Sequence, residues 1–201
     1  MNIYINSVKA DFILEDEKTL GDVLKAFQIE CEKNEATIVS VEVDGFALKA
    51  EQMDSIFDRA ITNIQSIKIE TITQSDIMRA LQDTGSKISV LSNELEQLSV
   101  LLQSGKDAKV SVILTSFADL FDILCRTVSL CSLFPHYFDR FLIDGQSPLV
   151  FLRDFSPVLS DFEKSLSDAD TVLTGDLAEY EIVPRLRSFV AAVQSFGENR
   201  C

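Results

Sequence analysis

Catalytic side chains and their usual motifs are scarce in this sequence. It holds one histidine, His136, and no tryptophan among its 201 residues. A Ser/His/Asp or Cys/His catalytic set needs a histidine base. The aromatic surroundings of His136 favour a structural role, with base or ligand as the alternative. The phosphate-binding patterns GxxxxGK[S/T] and GxGxxG are missing, as are HExxH and paired ExxH metal motifs. The sequence therefore predicts no cofactor, no metal site and no enzyme.

Cysteine motifs and membrane-spanning runs are missing as well. The four cysteines form no CxxC and no Cys/His ligand spacing, and in apolar helical patterns a free thiol behaves as a small hydrophobe. The most apolar region without Asp, Glu, Lys or Arg lies between Arg126 and Arg140, which is too short to cross a bilayer. The first residues hold no basic segment followed by an apolar run, as a signal peptide would. We expect no membrane insertion and a cytoplasmic location.

Basic residues are few: 18 Lys and Arg stand against 32 Asp and Glu, a net charge of −14. When the chain is divided after Thr73, the first part has 7 basic and 14 acidic residues and the second has 11 and 18, so each part carries −7. Nucleic acid and anionic membranes both require a basic surface, so neither is an expected partner. The acidic excess indicates either solubility through net charge or attraction to a basic protein.

The first 73 residues alternate between strand and helix patterns. Thr19 is a predicted helix N-cap with Asp22 three residues on, and Asp44-Gly45 is a strong two-residue hairpin signal. The predicted order is a strand at the N-terminus, a turn at Ser7–Lys9, a strand over Ala10–Glu15, a helix to about Lys33, a hairpin around Asp44-Gly45, a helical turn around Met53–Phe57 and a strand through Ile67 and Ile69.

This order resembles the ubiquitin-like, β-grasp sulfur carriers of thiamin and molybdopterin synthesis. The matching segments are MNIYINSVKADFIL, TLGDVLKAF, VSVEVDGFAL and SIKIETI. The resemblance implies a β-grasp domain over residues 1–73. The carriers end in a flexible Gly-Gly whose carboxylate is adenylated and then thiocarboxylated. Here the last strand runs into TQSDIMRAL and the sequence ends GENRC. We therefore expect a binding platform without carrier chemistry, or a carrier homologue kept as a docking domain.

A heptad pattern begins after the last strand. Apolar residues recur with alternating spacings of four and three, and Thr84 fills one position of the series, which predicts a helix over Ser75–Ser104 about 45 Å long. This heptad seam is the candidate interface, and it consists of Ile77, Leu81, Ile88, Leu91, Leu95, Leu98 and Leu102.

Three further amphipathic segments follow, over about Asp107–Phe134, over Leu149–Leu166 and from Ser167–Asp170 onward. Pro157 either starts a fresh helix capped by Ser156 or kinks the third segment, and Pro184 predicts a kink in the last. Short connections between four such helices predict an antiparallel helical bundle over residues 74–201. The expected fold class is therefore α+β, with a β-grasp domain followed by an all-α bundle.

Two functions are compatible with these patterns. The first is a non-enzymatic protein–protein interaction adaptor, in which the heptad seam pairs with a second copy as a homodimer or with a helical partner. The competing use of the seam is packing within its own chain. The second function is a small-molecule-binding or enzymatic helical domain with an aromatic-rich pocket at His136, Tyr137 and Phe138, to which the β-grasp domain would be a docking element.

Overall fold

A computed structural model of the chain describes residues 1–10, 16–49 and 56–198. The chain divides into two compact units, Met1–Asp76 and Ile77–Cys201. A five-stranded sheet lies in the first unit and a mostly helical region makes up the second, so the fold is of mixed α+β class. Most of the strand predicted over Ala10–Glu15 and of the helical turn predicted around Met53–Phe57 lies outside the described residues.

The strands are β1 Asn2–Ile5, β2 Val8–Ala10, β3 Ala36–Val43, β4 Phe46–Ala47 and β5 Ser66–Thr73, and helix α1 spans Leu20–Lys33. These strands form one mixed sheet in the order β2-β1-β5-β3-β4. The first and last strands, β1 and β5, pair in parallel, and the remaining neighbours pair antiparallel. A slip in register between Ile38 and Ser40 of β3 marks a bulge against β5.

Helix α1 begins at the predicted cap. The Asp22 amide donates to the Thr19 hydroxyl over 3.2 Å, and the Thr19 amide donates to the Asp22 carboxylate over 3.0 Å, which forms a reciprocal capping box. The inward stripe of α1 is buried in the core formed with the sheet. That core includes Leu20, Val23, Phe27, Ile3, Val41, Ile67 and Ile69. The N-cap prediction is confirmed.

Both hairpin turns use left-handed backbone at two successive residues. Asp44 and Gly45 have φ of 52° and 88°, at the predicted position. Asn6 and Ser7 have φ of 48° and 66°, so the first turn begins one residue before the predicted Ser7–Lys9 segment. Turns of this hand match the twist of the paired strands and favour Asn, Asp and Gly.

The helical region contains more elements than the four predicted. Within the described residues it consists of α2 Gln74–Leu95, α3 Leu98–Gln103, α4 Asp107–Leu130, α5 Pro135–Phe138, α6 Pro148–Ser167, α7 Thr171–Asp176 and α8 Val183–Glu198, with a 3₁₀ turn at Cys131–Leu133 and a π-helical turn at Leu177–Ile182.

The single helix predicted over Ser75–Ser104 is interrupted, which corrects that expectation. Helix α2 ends at Leu95 and α3 begins at Leu98, with a turn at Glu96 and Gln97. The buried Ser92 hydroxyl donates to the Ile88 carbonyl one turn earlier, a bond that tends to bend helices. After the turn, α3 packs closely on α7: a Cβ added to Gly175 would lie 2.7 Å from the Cβ of Ser99. The heptad pattern is thus shared between two helices.

The two interior prolines have different outcomes. Helix α6 runs through Pro157 without interruption, so the fresh start at Ser156 is not observed. Before Pro184, which has no amide hydrogen, the chain widens into the π-helical turn. The Arg185 guanidinium donates to the Glu181 carbonyl over 2.8 Å and to its carboxylate over 2.6 Å. The side chain therefore supplies a hydrogen-bond donor at a point where the helix pattern is broken.

Candidate functional site

The heptad seam is buried within this chain. Ile77, Leu81, Leu95 and Leu98 have no exposed surface, and Ile88 and Leu91 are nearly as well covered. Leu102 is half-buried. Since the seam is already covered by its own chain, it offers little apolar surface to a second copy or to a partner helix. Of the two uses that the sequence left open, the structure has the seam packed within one chain.

The three residues of the predicted aromatic pocket differ in their burial and in their contacts. His136 is exposed on the short helix α5, whereas Phe138 is buried. The Tyr137 and Phe138 rings both contact Phe196, with centroids 6.1 Å and 5.7 Å away. Phe138 also lines a hollow of about 160 Å³ together with Pro135 and other residues. The Tyr137 and Phe138 rings thus pack against α8, and the hollow beside Phe138 is smaller than the roughly 300–1,000 Å³ of most ligand pockets.

A larger apolar hollow lies between α4 and α6. We call it the aromatic groove. It has a cavity volume of about 420 Å³. Its α4 wall runs from Leu114 to Cys125, about 17 Å at the rise of an α-helix. It is lined by Leu114, Phe117, Ala118, Phe121, Asp122 and Cys125 of α4 and by Leu159, Phe162, Glu163 and Leu166 of α6.

Phenylalanine rings form the base of the aromatic groove. Phe117 of α4 and Phe162 of α6 are both buried and meet edge to face, with centroids 6.0 Å apart and planes at 89°. Phe121 is half-buried and makes a similar contact with Phe155, at 5.3 Å and 85°. Edge-to-face pairs are a favoured aromatic geometry, and both pairs join α4 to α6 at the base of the groove.

The rim of the aromatic groove is polar and acidic. Asp122 is exposed on the α4 side and Glu163 is exposed on the α6 side. The Asp122 carboxylate pairs with Arg126 one turn later, at 2.8 Å. Cys125 is half-buried in the wall, and its burial, with a smaller effect of the Asp122 charge, raises the pKa of its thiol. An uncharged thiol adds to the apolar surface.

Other concavities of the helical region are less apolar. A hollow of about 610 Å³ lies between α2 and α8 and is lined mostly by small and polar residues such as Gly85, Ser86 and Gln194. A hollow of about 440 Å³ between α2 and α4 includes the exposed Val90 and Ile123 among charged neighbours. Neither has an aromatic lining. Of these three hollows, the aromatic groove is the one lined by phenylalanine rings, and its charged lining residues are both acidic.

The described part of the chain contains neither a metal-binding cluster nor a membrane-spanning helix. Over residues 1–10, 16–49 and 56–198, no three His, Cys, Asp or Glu side chains are grouped so that they could hold a metal ion. No helix within those same residues is long and apolar enough to cross a membrane.

Family models match both parts of the chain. The family described as Domain of unknown function (DUF8042) matches residues 79–191, more than half of the sequence. The chain belongs to the DUF8042 family. Its first part, residues 1–73, is similar to the TP0873 N-terminal domain. The DUF8042 segment includes both helices that form the aromatic groove.

An uncharacterized protein of Treponema pallidum (strain Nichols) is similar to this DUF8042 protein along nearly its whole length. The two are 28% identical over 189 residues, which is 93% of each chain. No solved structure matches the chain.

Sequence patterns contained part of the signal for the aromatic groove. Phe117, Phe121, Phe155 and Phe162 stand out as aromatic residues at helical spacing. What the patterns did not show is which rings fill the core and which line a groove. The apolar stripe of α4 is wide, because further apolar residues lie beside Leu114 and Phe121 on the surface of the helix. An apolar stripe that is too wide for one neighbouring helix to cover is the sequence feature that indicates the aromatic groove.

Proposed function

We propose that the protein is a non-enzymatic adaptor and that the aromatic groove binds an apolar stripe of a partner helix. The observation behind this proposal is the groove itself, a formed apolar channel between two helices with exposed polar edges. Amphipathic helices bind such grooves through anchor residues at i, i+3, i+4 and i+7. The cytoplasmic location expected from the sequence belongs to the same proposal.

The dimensions of the aromatic groove favour a helix over a small molecule. An α4 wall of about 17 Å accepts about three turns of a helix. Pockets for small ligands usually enclose most of the ligand surface. Here Ala118, Asp122 and Glu163 of the lining are exposed, so the channel is open to solvent along its edges. An elongated, open channel suits a ligand that keeps one face in water.

The acids and bases of the helical region support binding more than catalysis. Asp122 is paired with Arg126 and Glu181 with Arg185. His136 is exposed and lies outside the groove lining. A general acid or base must reach the atom that it protonates or deprotonates. The groove holds two carboxylates at its rim and apolar side chains inside, which suits recognition.

The sheet unit belongs to the proposal as a second binding platform of β-grasp type. Its order β2-β1-β5-β3-β4, with β1 and β5 parallel and α1 packed on one face, supports the β-grasp assignment. The edge strand β4 carries Phe46, whose side chain is highly exposed. The sheet would contribute an edge for contact with a partner, as β-augmentation does.

Site-specific photo-crosslinking in the native host tests the groove. A benzophenone amino acid replaces the exposed Ala118 inside the groove and, as the matched control, the exposed Ala108 near the start of the same helix. We expect an adduct at position 118 that is absent at position 108. Mass spectrometry should map the adduct to a partner segment with apolar residues at i, i+3, i+4 and i+7.

Two results would contradict the adaptor proposal. Equal adducts at both positions would mean that the helical surface is contacted without preference. An adduct to a second copy of this chain would assign the groove to self-association.

A further inference from the structure

We infer that the occupant of the aromatic groove is a basic amphipathic helix of a partner protein, with Lys or Arg beside its apolar stripe. This inference rests on the proposed function, because it specifies the chemistry of the helix that the groove would bind. It is carried by the charges at the rim. Each wall contributes one carboxylate, Asp122 from α4 and Glu163 from α6, and the groove lining includes no basic residue.

The two rim carboxylates differ in how they are partnered. Asp122 pairs with Arg126, and both side chains are largely exposed. None of the described residues forms an ion pair with Glu163. The pairing with Arg126 weakens the attraction of Asp122 for a cation, whereas Glu163 is open to an approaching cation. A helix seated between the walls would thus meet a carboxylate without an ion-pair partner among the described residues on the α6 side and a carboxylate shared with Arg126 on the α4 side.

The apolar part of the groove selects helices with a broad stripe. Half-buried Leu114, Phe121 and Leu159 border a base of buried Phe117 and Phe162. Anchors such as Leu or Met would cover these side chains, while lysine stems could lie along the walls with their ammonium groups at the carboxylates. The chain as a whole carries −14, which would raise the rate of encounter with a basic partner.

Synthetic helices of defined charge test this inference. Three peptides of about 14 residues share leucine at the i, i+3, i+4 and i+7 positions and differ in the other face, which is Lys, Gln or Glu. Binding to the full-length protein is followed by fluorescence anisotropy. The rate of Cys125 alkylation, followed by mass spectrometry of the peptide containing it, reports whether a helix lies in the groove. Cys125 is part of the groove wall, so an occupant should slow its reaction.

We expect the Lys peptide to bind roughly two- to tenfold more tightly than the Gln peptide, as two exposed charge pairs allow, and the Glu peptide to bind most weakly. All binding should protect Cys125. The preference for Lys should disappear in the double variant Asp122→Asn/Glu163→Gln. It should persist in the control Asp119→Asn/Asp161→Asn, which removes the same charge from exposed positions of α4 and α6 outside the groove lining.

The outcomes separate this inference from the proposed function. If all three peptides protect Cys125 with equal affinity, the groove binds helices and the inference about charge is overturned. A Lys preference that survives the double variant while Cys125 is protected would assign the preference to the general acidity of the protein and would also overturn the inference about charge. If no peptide protects Cys125, both proposals fail.

Discussion

The cysteines of the helical region differ in accessibility. Burial raises the pKa of the Cys131 thiol to about 12, and Cys131 also donates to the Thr127 carbonyl. The pKa of Cys125 is raised as well, but its side chain is only half-buried. Because the thiolate is the reactive form, Cys131 should be alkylated roughly tenfold or more slowly than Cys125 in the native protein.

Mass spectrometry of iodoacetamide-treated protein would measure the two rates, and the same treatment in denaturant is the control. In denaturant, the Cys125 and Cys131 thiols should react at similar rates. Native rates that are equal would contradict the burial of Cys131.

Asp44 links the stability of the sheet unit to pH. Its carboxylate accepts hydrogen bonds from the amides of Ser66 and Gln65, and these bonds, with Arg59 as a smaller cause, hold its pKa below the ordinary value. A carboxyl group with a lowered pKa in the folded state stabilises the fold above its unfolded pKa, and that contribution is lost as the pH falls through the folded value.

The variant Asp44→Asn keeps a turn-forming residue and removes the charge. Between about pH 5 and about pH 3, the wild-type sheet unit should lose more stability than this variant. Urea titration with hydrogen-exchange mass spectrometry of the β3 and β5 peptides measures the difference. Parallel losses in the two proteins would show that Asp44 does not contribute to the pH dependence.

At the scale of elements, α3 and α7 approach each other closely at Gly175. A Cβ at Gly175 would lie 3.0 Å from the Cα of Ser99, which is backbone and cannot give way easily. Overpacking of this kind costs about 1–3 kcal/mol. We therefore expect Gly175→Ala to lower the free energy of unfolding, despite the higher helix propensity of alanine.

Gly85→Ala is the matched control, with the opposite expected sign. Gly85 lies inside α2, and an added Cβ would meet Val193 at 3.8 Å, an ordinary contact. The substitution should raise the free energy of unfolding by up to about 1 kcal/mol. Thermal denaturation followed by circular dichroism would compare the two variants. Stabilisation by both substitutions would mean that α3 and α7 are less closely packed than the structure shows.

The elements that sequence patterns predicted well are those with local causes. The cap at Thr19 and the turn at Asp44-Gly45 depend on residues that are neighbours in sequence. The turn at Glu96 and Gln97 does not depend on neighbouring residues alone. The heptad spacing continues across this turn, and its cause includes the packing of α3 on α7, which is distant in sequence. Pro157 shows the same limit, since an exposed proline can be accommodated inside a packed helix.

For the whole molecule, sequence patterns indicated the class of fold more readily than the candidate site. Alternating and heptad patterns identify a sheet followed by helices. The aromatic groove depends on how two helices, separated by α5 and its loops, come to lie side by side. Phe117 and Phe162 are far apart in sequence, and no local pattern reports their contact. A site formed by tertiary packing is visible only in three dimensions.

Burial of the heptad seam affects how loss-of-function mutations in this protein should be interpreted. Replacing a buried leucine by alanine costs about 2–5 kcal/mol, enough to reduce the steady-state amount of a marginally stable protein in cells. Changes at Leu81 or Leu98 would therefore remove function by removing the protein, since both side chains are fully buried. Ala118 and Glu163 are exposed, so most changes there should leave the amount of protein unchanged. A genetic screen that records protein level alongside phenotype separates these two groups, and only the second identifies where a partner binds.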